Sequence, residues 1–589
     1  MLFLVSYVRR GFRYPIGWDA PFYVWRTNAV GVDGLARLGT IRSGSPLLLA
    51  VLMQATRQNA LTLVAVVPAV LAGMAGLGAA VMVRASLEIE APWMPVIGIL
   101  AWAAFVDIGI MQGHLDNALN VALVLCGLAA ALALVRGGRG AVAAGTLLAA
   151  AGVAEWPFYV FAVGILVAGV ALFLWVSARE GGGLRNIGFL PGLALGVGGS
   201  ALVTGLTFLG IPAVGGVGAG IADPATRALL RQRFIERLHD TVRYWAFPLG
   251  AAGGMIAARH PVSGAASAAR RLFLCVMVAW TALTVVAGIA QWLGAPVAGG
   301  RLTSYFFVPP ILTGVLVWWL ARWVAARIRR RAGASVAAVT AAAIAIAAVA
   351  GFGYAAWERT RPWHPWMEAG AVAQTAAAGR YLQTYAPGRP ALFTLSPSPA
   401  ISNDTLGRWW NVVQASLPGD EVRLARRAIA QPADVAAQTD SPLVVVIIQR
   451  YNMDAFPAAA SLPQARQVAN GVVVVNGPPA VPSVPAGPTP RADTDRWGIL
   501  LTGATVVALL LACGLGWALV LLPWDPVTVT GLAPALGAAA IILVALAWDT
   551  VGLPLHGLDA LGPLVVAGAA GWLVWWLRRS RAPEPGHAT

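Results

Sequence analysis

Thirteen predominantly apolar stretches run through the chain, at about residues 61–83, 93–110, 117–135, 140–154, 158–177, 187–210, 242–258, 273–291, 306–325, 335–353, 497–521, 529–547 and 561–577. A bilayer-spanning helix needs about 20 such residues. Within hydrocarbon only helices and closed barrels satisfy every backbone N–H and C=O. The pattern therefore predicts an α-helical polytopic membrane protein with about 13 transmembrane helices. Composition agrees: 11% of the 589 residues are charged and 58% are apolar, against roughly 25% charged in a soluble domain. So few charges cannot cover a water-facing surface of this size, which excludes an ordinary soluble enzyme.

All 41 basic residues are Arg, so P-loop and Schiff-base lysine chemistry is excluded. We read the net charge of +16 as a topology signal, with no nucleic-acid partner, because Arg in short loops resists translocation. Arg136 with Arg139, Arg179 with Arg185, Arg259 with Arg270 and Arg271, Arg327 with Arg329 to Arg331, and Arg578 with Arg579 and Arg581 fall on alternate loops, which are expected to be cytoplasmic. Parity then puts residues 1–60, the turn at His114, Glu155, the 211–241 and 292–305 loops and residues 354–496 on the outer face of the plasma (inner) membrane, with the C-terminus inside. Two outer segments run against the rule, with seven Arg in residues 1–60 and four in 211–241. These are expected to face anionic lipid headgroups; a wrong parity or a missed span is the competing reading. No cleavable signal peptide is expected, since the charges of MLFLVSYVRRGFRY follow its apolar stretch. Cys126, Cys275 and Cys513 all lie in apolar runs, which argues against disulfides or a thiolate metal site.

Residues 354–496 form the one long stretch without a span. PALFTLS from Pro390, LVVVIIQ from Leu443 and GVVVVNG from Gly471 are short strand-like runs, and AVAQTAAAGRYLQTY from Ala371 is helix-like. They predict a small extracytoplasmic α/β domain. It ends in the Pro-rich linker GPPAVPSVPAGPTP. The expected organisation is an outer-face loop with interfacial helices (1–60), a main transmembrane module (61–353), the α/β domain and linker (354–496), C-terminal transmembrane helices (497–577) and a cytoplasmic tail (578–589). Within the 211–241 loop, TRALLRQRFIERLHDTVRYW has the apolar spacing of a helix lying in the membrane surface.

Charges retained in or beside a membrane are costly, so each is a candidate for function. Asp19 in GWDAPFYVWR sits among Trp18, Phe22, Tyr23 and Trp25, with Asp33 further on. Sugar rings stack on such aromatic faces, and a carboxylate there can take an acceptor's proton. The alternative is a turn Asp before Pro21 in an interfacial segment with belt aromatics. In QGHLDNALN, His114 and Asp116 stand between two spans. They would ligate a divalent metal ion or hold a pyrophosphate-like group, or else Asp116 or Asn117 caps the next helix. Asp107 lies deeper in the preceding span, and Glu155 in AEWPFYVF is a lining acid or the polar turn of a hairpin. In GRLTSYFFVPP, Arg301, with Tyr305 about one turn on, would hold a lipid phosphate through paired N–H donors or snorkel to the interface. No other cofactor is indicated.

In this order, the pieces resemble the polytopic glycosyltransferases of the C type (GT-C), in particular their bacterial protein-mannosyltransferase-like and aminoarabinose-transferase-like branch. The resemblance rests on GWDAPFYVWR, GHLDNALN, EWPFYVF, RLTSYFFVPP and the outer domain near the C-terminus, and covers about residues 14–350. It implies a polyprenyl-phosphate-linked sugar donor, an envelope glycan, lipid or protein acceptor on the outer face, and a base carboxylate in the first loop. On that resemblance Asp19 is the base, while Arg301 and Tyr305 hold the donor phosphate. Trp18, Tyr23, Asp33, His114, Asp116 and Glu155 remain donor- or acceptor-binding candidates. Two other classes share these features: a transporter or flippase of lipid-linked glycans, and a non-catalytic envelope assembly protein.

Overall fold

The computed structural model describes residues 2–35, 42–105, 114–135, 140–179, 188–208, 246–293 (except 263), 306–395 (except 362, 388 and 390), 403–417, 424–428, 444–477 (except 454 and 455), 484, 487, 489–492 and 495–580 (except 524), with 228, 231, 232 and 235. Nine helices precede residue 209 among them: α1 (Leu2–Arg10), α2 (Ala20–Asp33), α3 (Gly44–Thr56), α4 (Ala60–Leu87), α5 (Met94–Phe105), α6 (Leu115–Val135), α7 (Gly140–Ala154), α8 (Trp156–Arg179) and α9 (Leu190–Phe208). Helices Ala246–Arg259, Ala265–Trp292, Val308–Ala332 and Ala334–Thr360 follow, and helices Arg496–Leu521, Pro526–Thr550 and Gly562–Ser580 close the chain.

Ten helices among the described residues are long and apolar enough to cross a membrane, and each falls on one of the thirteen expected spans. The chain is therefore a helical, multi-pass membrane protein. The other three expected spans coincide with shorter described helices: α5 of 12 residues, α7 of 15 and Ala246–Arg259 of 14. At 1.5 Å per residue none reaches the roughly 30 Å of a bilayer core. α7 has little need to, because nearly all of it is buried against α6 and α9 and it stops where Glu155 begins.

α3 was not anticipated as a distinct element. Its sequence GSPLLLAVLMQAT is apolar on all sides, and such a helix has no face to offer water. Every residue from Gly44 to Leu52 is buried, and α3 packs against α2, α4 and helix Pro526–Thr550. This part of residues 1–60 thus lies inside the bundle rather than on the interface. Small residues set other crossings: a Cβ on Gly514 would overlap the Ala533 carbonyl, and one on Gly537 the Leu510 carbonyl. Those glycines let helices Arg496–Leu521 and Pro526–Thr550 touch backbone to backbone.

A five-stranded sheet of order β2-β1-β3-β5-β4 lies between residues 391 and 475, built from β1 (Ala391–Leu395), β2 (Leu424–Ala428), β3 (Val444–Ile448), β4 (Ala465–Ala469) and β5 (Val472–Val475). β1 runs parallel to β2 and β3, while β5 runs antiparallel to β3 and β4. The three strands expected from sequence are the three inner ones, and the valines of β3 and β5 are fully buried, as covered strands require. The two edge strands, LARRA and ARQVA, carry Arg and were not expected. Helix Ala369–Tyr385 packs on this sheet, and helix Asn403–Ser416 packs on α2.

Long-range contacts gather alternate loops at two ends. At the first, the Ala492 N–H donates to the Arg13 carbonyl (2.8 Å), the Asn59 amide to the Arg491 carbonyl (2.8 Å) and Arg10 to the Trp363 carbonyl (3.2 Å). The C-terminal end of α2 is latched there too, because the Leu35 N–H donates to both oxygens of Asp549 at 3.1 and 3.2 Å. At the opposite end Arg84, near the end of α4, pairs with Asp525 at 3.1 Å, and Arg322 pairs with Glu90 at 2.7 Å.

Candidate functional site

The loop that presents Asp19 is fixed from two sides. The Ile16 N–H donates to the Tyr7 hydroxyl at 2.7 Å, and Ile16 forms a β-bridge with Pro365. Gly17 then takes a φ of +113°, a backbone state that L side chains rarely adopt. Trp18 comes to rest against Trp363, with ring centroids 5.3 Å apart.

Asp19 occupies the N-cap position of α2, with Pro21 in the first turn, yet its side chain makes no cap hydrogen bond. Only its carbonyl serves the helix, accepting from the N–H groups of Phe22 and Tyr23. The carboxylate faces His114 Nδ1 at 2.8 Å and Arg408 Nε at 4.0 Å, and Arg408 lies over the Trp18 ring at 4.3 Å. Burial pushes the Asp19 carboxyl up, but the His114 hydrogen bond and the charges of His114, Arg408 and Arg42 outweigh it and hold the group below the usual aspartate range.

Behind Asp19 lies a second layer of charge. Asp116, in the first turn of α6, accepts from Arg26 at 3.4 Å and from the Ser45 N–H at 3.3 Å, with both ionic side chains fully buried. Arg26 also donates to the Arg42 carbonyl and lies 4.7 Å from the Phe22 ring centre. Arg42 pairs in turn with Glu155 at 3.0 Å, and Glu155 is 1% exposed. The Asn120 amide ties the corner together by donating to the carbonyls of Ala151 (2.7 Å) and Glu155 (3.1 Å). Tyr23, buried on α2, feels the charges of Asp116, Arg42, Asp19 and Glu155. Leaving His114 aside, the three carboxylates Asp19, Asp116 and Glu155 are matched by Arg26, Arg42 and Arg408.

The structure thus brings Trp18, Asp19, Tyr23, His114, Asp116 and Glu155 into one cluster. Asp33 is the exception: it is exposed at the far end of α2, 14 residues from Asp19, or about 20 Å along a helix. Arg301, Tyr305 and Asp107 lie outside the described residues. His114 and Asp116, the two candidate metal ligands, have separate partners in Asp19 and Arg26, and among the described residues no three His, Cys, Asp or Glu side chains converge.

Arg26, Arg42 and Arg408 were not singled out as site residues in the sequence. The first two belong to the surplus of Arg in residues 1–60 that was expected to face lipid headgroups. Their partners are instead the buried carboxylates of Asp116 and Glu155. Their only signal was that the neighbouring outer turns carry acids, Asp116 and Glu155. Arg408 carries no local signal, since only the packing of helix Asn403–Ser416 on α2 brings it to Asp19. Compared with protein families and with curated proteins, the chain shows no match.

Proposed function

We propose that the protein is a GT-C-like glycosyltransferase that moves a sugar from a polyprenyl-phosphate donor to a cell-envelope acceptor on the outer face of the membrane, with Asp19 as the base. The observation that carries this reading is the division of labour among the three carboxylates. Asp116 and Glu155 are buried and neutralised by Arg26 and Arg42, whereas Asp19 is 24% exposed beside Trp18 and Trp363. It is the acid of this cluster that a substrate hydroxyl can reach.

In the proposed step the acceptor oxygen attacks the anomeric carbon of the donor as Asp19 takes the hydroxyl proton. The bond from that carbon to the phosphate oxygen breaks, and polyprenyl phosphate leaves with the electron pair. Direct displacement inverts the sugar. His114, whose Nδ1 lies 2.8 Å from the carboxylate, faces Asp19 together with Arg408, and these neighbours outweigh burial and favour the ionised carboxylate that accepts a proton. Trp18 and Trp363, packed against each other beside Asp19, supply the aromatic wall that a sugar would meet.

A transfer assay with purified protein and a polyprenyl-phosphate sugar tests the reading. Asp19→Asn keeps the side chain's size and removes the proton acceptor, so turnover should fall by about 10²-fold or more with expression unchanged. Near-normal turnover in this variant would remove Asp19 as the base, since Asp116 and Glu155 are buried in ion pairs and Asp33 lies at the far end of α2. No transfer by the parent protein with any polyprenyl-linked sugar would end the enzyme reading.

A further inference from the structure

Arg408 reaches the site from the sheet-bearing domain, 389 residues after Asp19 in sequence, and two features of its setting point to a ligand. Its guanidinium is laid over Trp18 at 4.3 Å, which fixes its plane beside the surface where a sugar would stack. Its nearest approach to Asp19 is 4.0 Å, a charge pairing longer than a hydrogen bond, whereas His114 approaches the same carboxylate at 2.8 Å. Arg26 and Arg42 are committed to carboxylates that are 0% and 1% exposed. Arg408, at 19% exposure, faces the one acid of the cluster that solvent reaches.

Resting on the transferase reading, we propose that Arg408 is a ligand of the donor phosphate and that Asp19 is its resting counterion, so that carboxylate and phosphate compete for one guanidinium. The competition has a direction during transfer. When Asp19 takes the acceptor's proton it becomes neutral and its attraction for Arg408 is lost. In the same step the phosphodiester monoanion becomes a polyprenyl phosphate dianion. Arg408 therefore shifts its charge pairing from Asp19 to the leaving phosphate as the negative charge moves there, without leaving the Trp18 face. A planar fork suits a phosphate better than a point charge does. This makes the soluble domain part of the site.

Binding of a short-chain polyprenyl monophosphate in detergent, with the matching neutral polyprenol as control, tests the proposal without any transfer step. Arg408→Gln should weaken phosphate binding about 10-fold or more, the loss expected of one charge-assisted contact, and leave polyprenol binding unchanged. Asp19→Asn should tighten phosphate binding several-fold by removing the competitor. In the Arg408→Gln background that gain should vanish. The Asp19→Asn measurement needs no variant at Arg408, so poor folding of Arg408→Gln would not remove the test. Unchanged phosphate affinity in Asp19→Asn, or the same gain with and without Arg408, overturns the proposal even if sugar transfer is established. Phosphate binding with the expected coupling, in a protein that transfers no sugar, upholds the Arg408 site and rejects the transferase.

Discussion

The Arg26–Asp116 pair gives the most demanding test of the site's architecture. Both side chains are fully buried and meet at 3.4 Å, so Asp116→Asn leaves a guanidinium without its counterion in a region already occupied by Arg42. Breaking a buried pair by removing one partner costs about 3–5 kcal/mol. The lower end applies here, because Arg26 keeps the Arg42 carbonyl and the Phe22 face, and an Asn oxygen can still accept from the Ser45 N–H. About 3 kcal/mol corresponds to a folding constant reduced by more than about 100-fold. Replacing both partners, as Arg26→Met with Asp116→Asn, removes the uncompensated charge and should recover most of that loss. Equilibrium unfolding in mixed micelles with increasing SDS, followed by tryptophan fluorescence, measures all four proteins. A loss below about 1 kcal/mol for Asp116→Asn, or strictly additive effects in the double variant, would refute the view that these two charges stabilise each other.

Two further outcomes are expected. Because the folded pKa of Asp19 lies below its unfolded value, its contribution to stability is fully present above the usual aspartate range, near 3.9, and is lost as pH falls through the lowered value. The acid limb of kcat/KM should fall in that same low window, and a limb well above the usual aspartate range would remove Asp19 as the proton acceptor. For orientation, alkaline phosphatase fused after Gly388 should be active and a fusion after Arg581 inactive; the reverse pattern would place the Asp19 end of the bundle in the cytoplasm.

The parts of the fold that could be read in advance are those where one local pattern suffices. Long apolar runs mark the ten spans, β-branched runs mark β3 and β5, and the short apolar run ALFTL marks β1, because burial on both faces selects for them. β2 and β4 escaped because edge strands tolerate charge, and Arg426, Arg427 and Arg466 hide their strand character. α3 escaped because a mostly apolar helix of 13 residues is too short for a span and too uniform for an interfacial helix. At the site, Asp19 and His114 stood out as isolated polar residues beside spans. Their pairing, and that of Arg42 with Glu155, depends on which loops meet at one end of the bundle. No local spacing encodes a meeting between residues 42 and 155 or between 19 and 408.

The latch between Leu35 and Asp549 also bears on when the site can exist. These residues are 514 positions apart, so the backbone that leads away from the Asp19 helix gains its anchor only after almost the whole chain has been synthesised. Until then the C-terminal end of α2 lacks this tether. A chain that stops before helix Pro526–Thr550 keeps Asp19, His114 and Arg408 in its sequence but lacks that tether. Assembly of this end of the bundle is a late event, and it makes the last helices a checkpoint for the first loop.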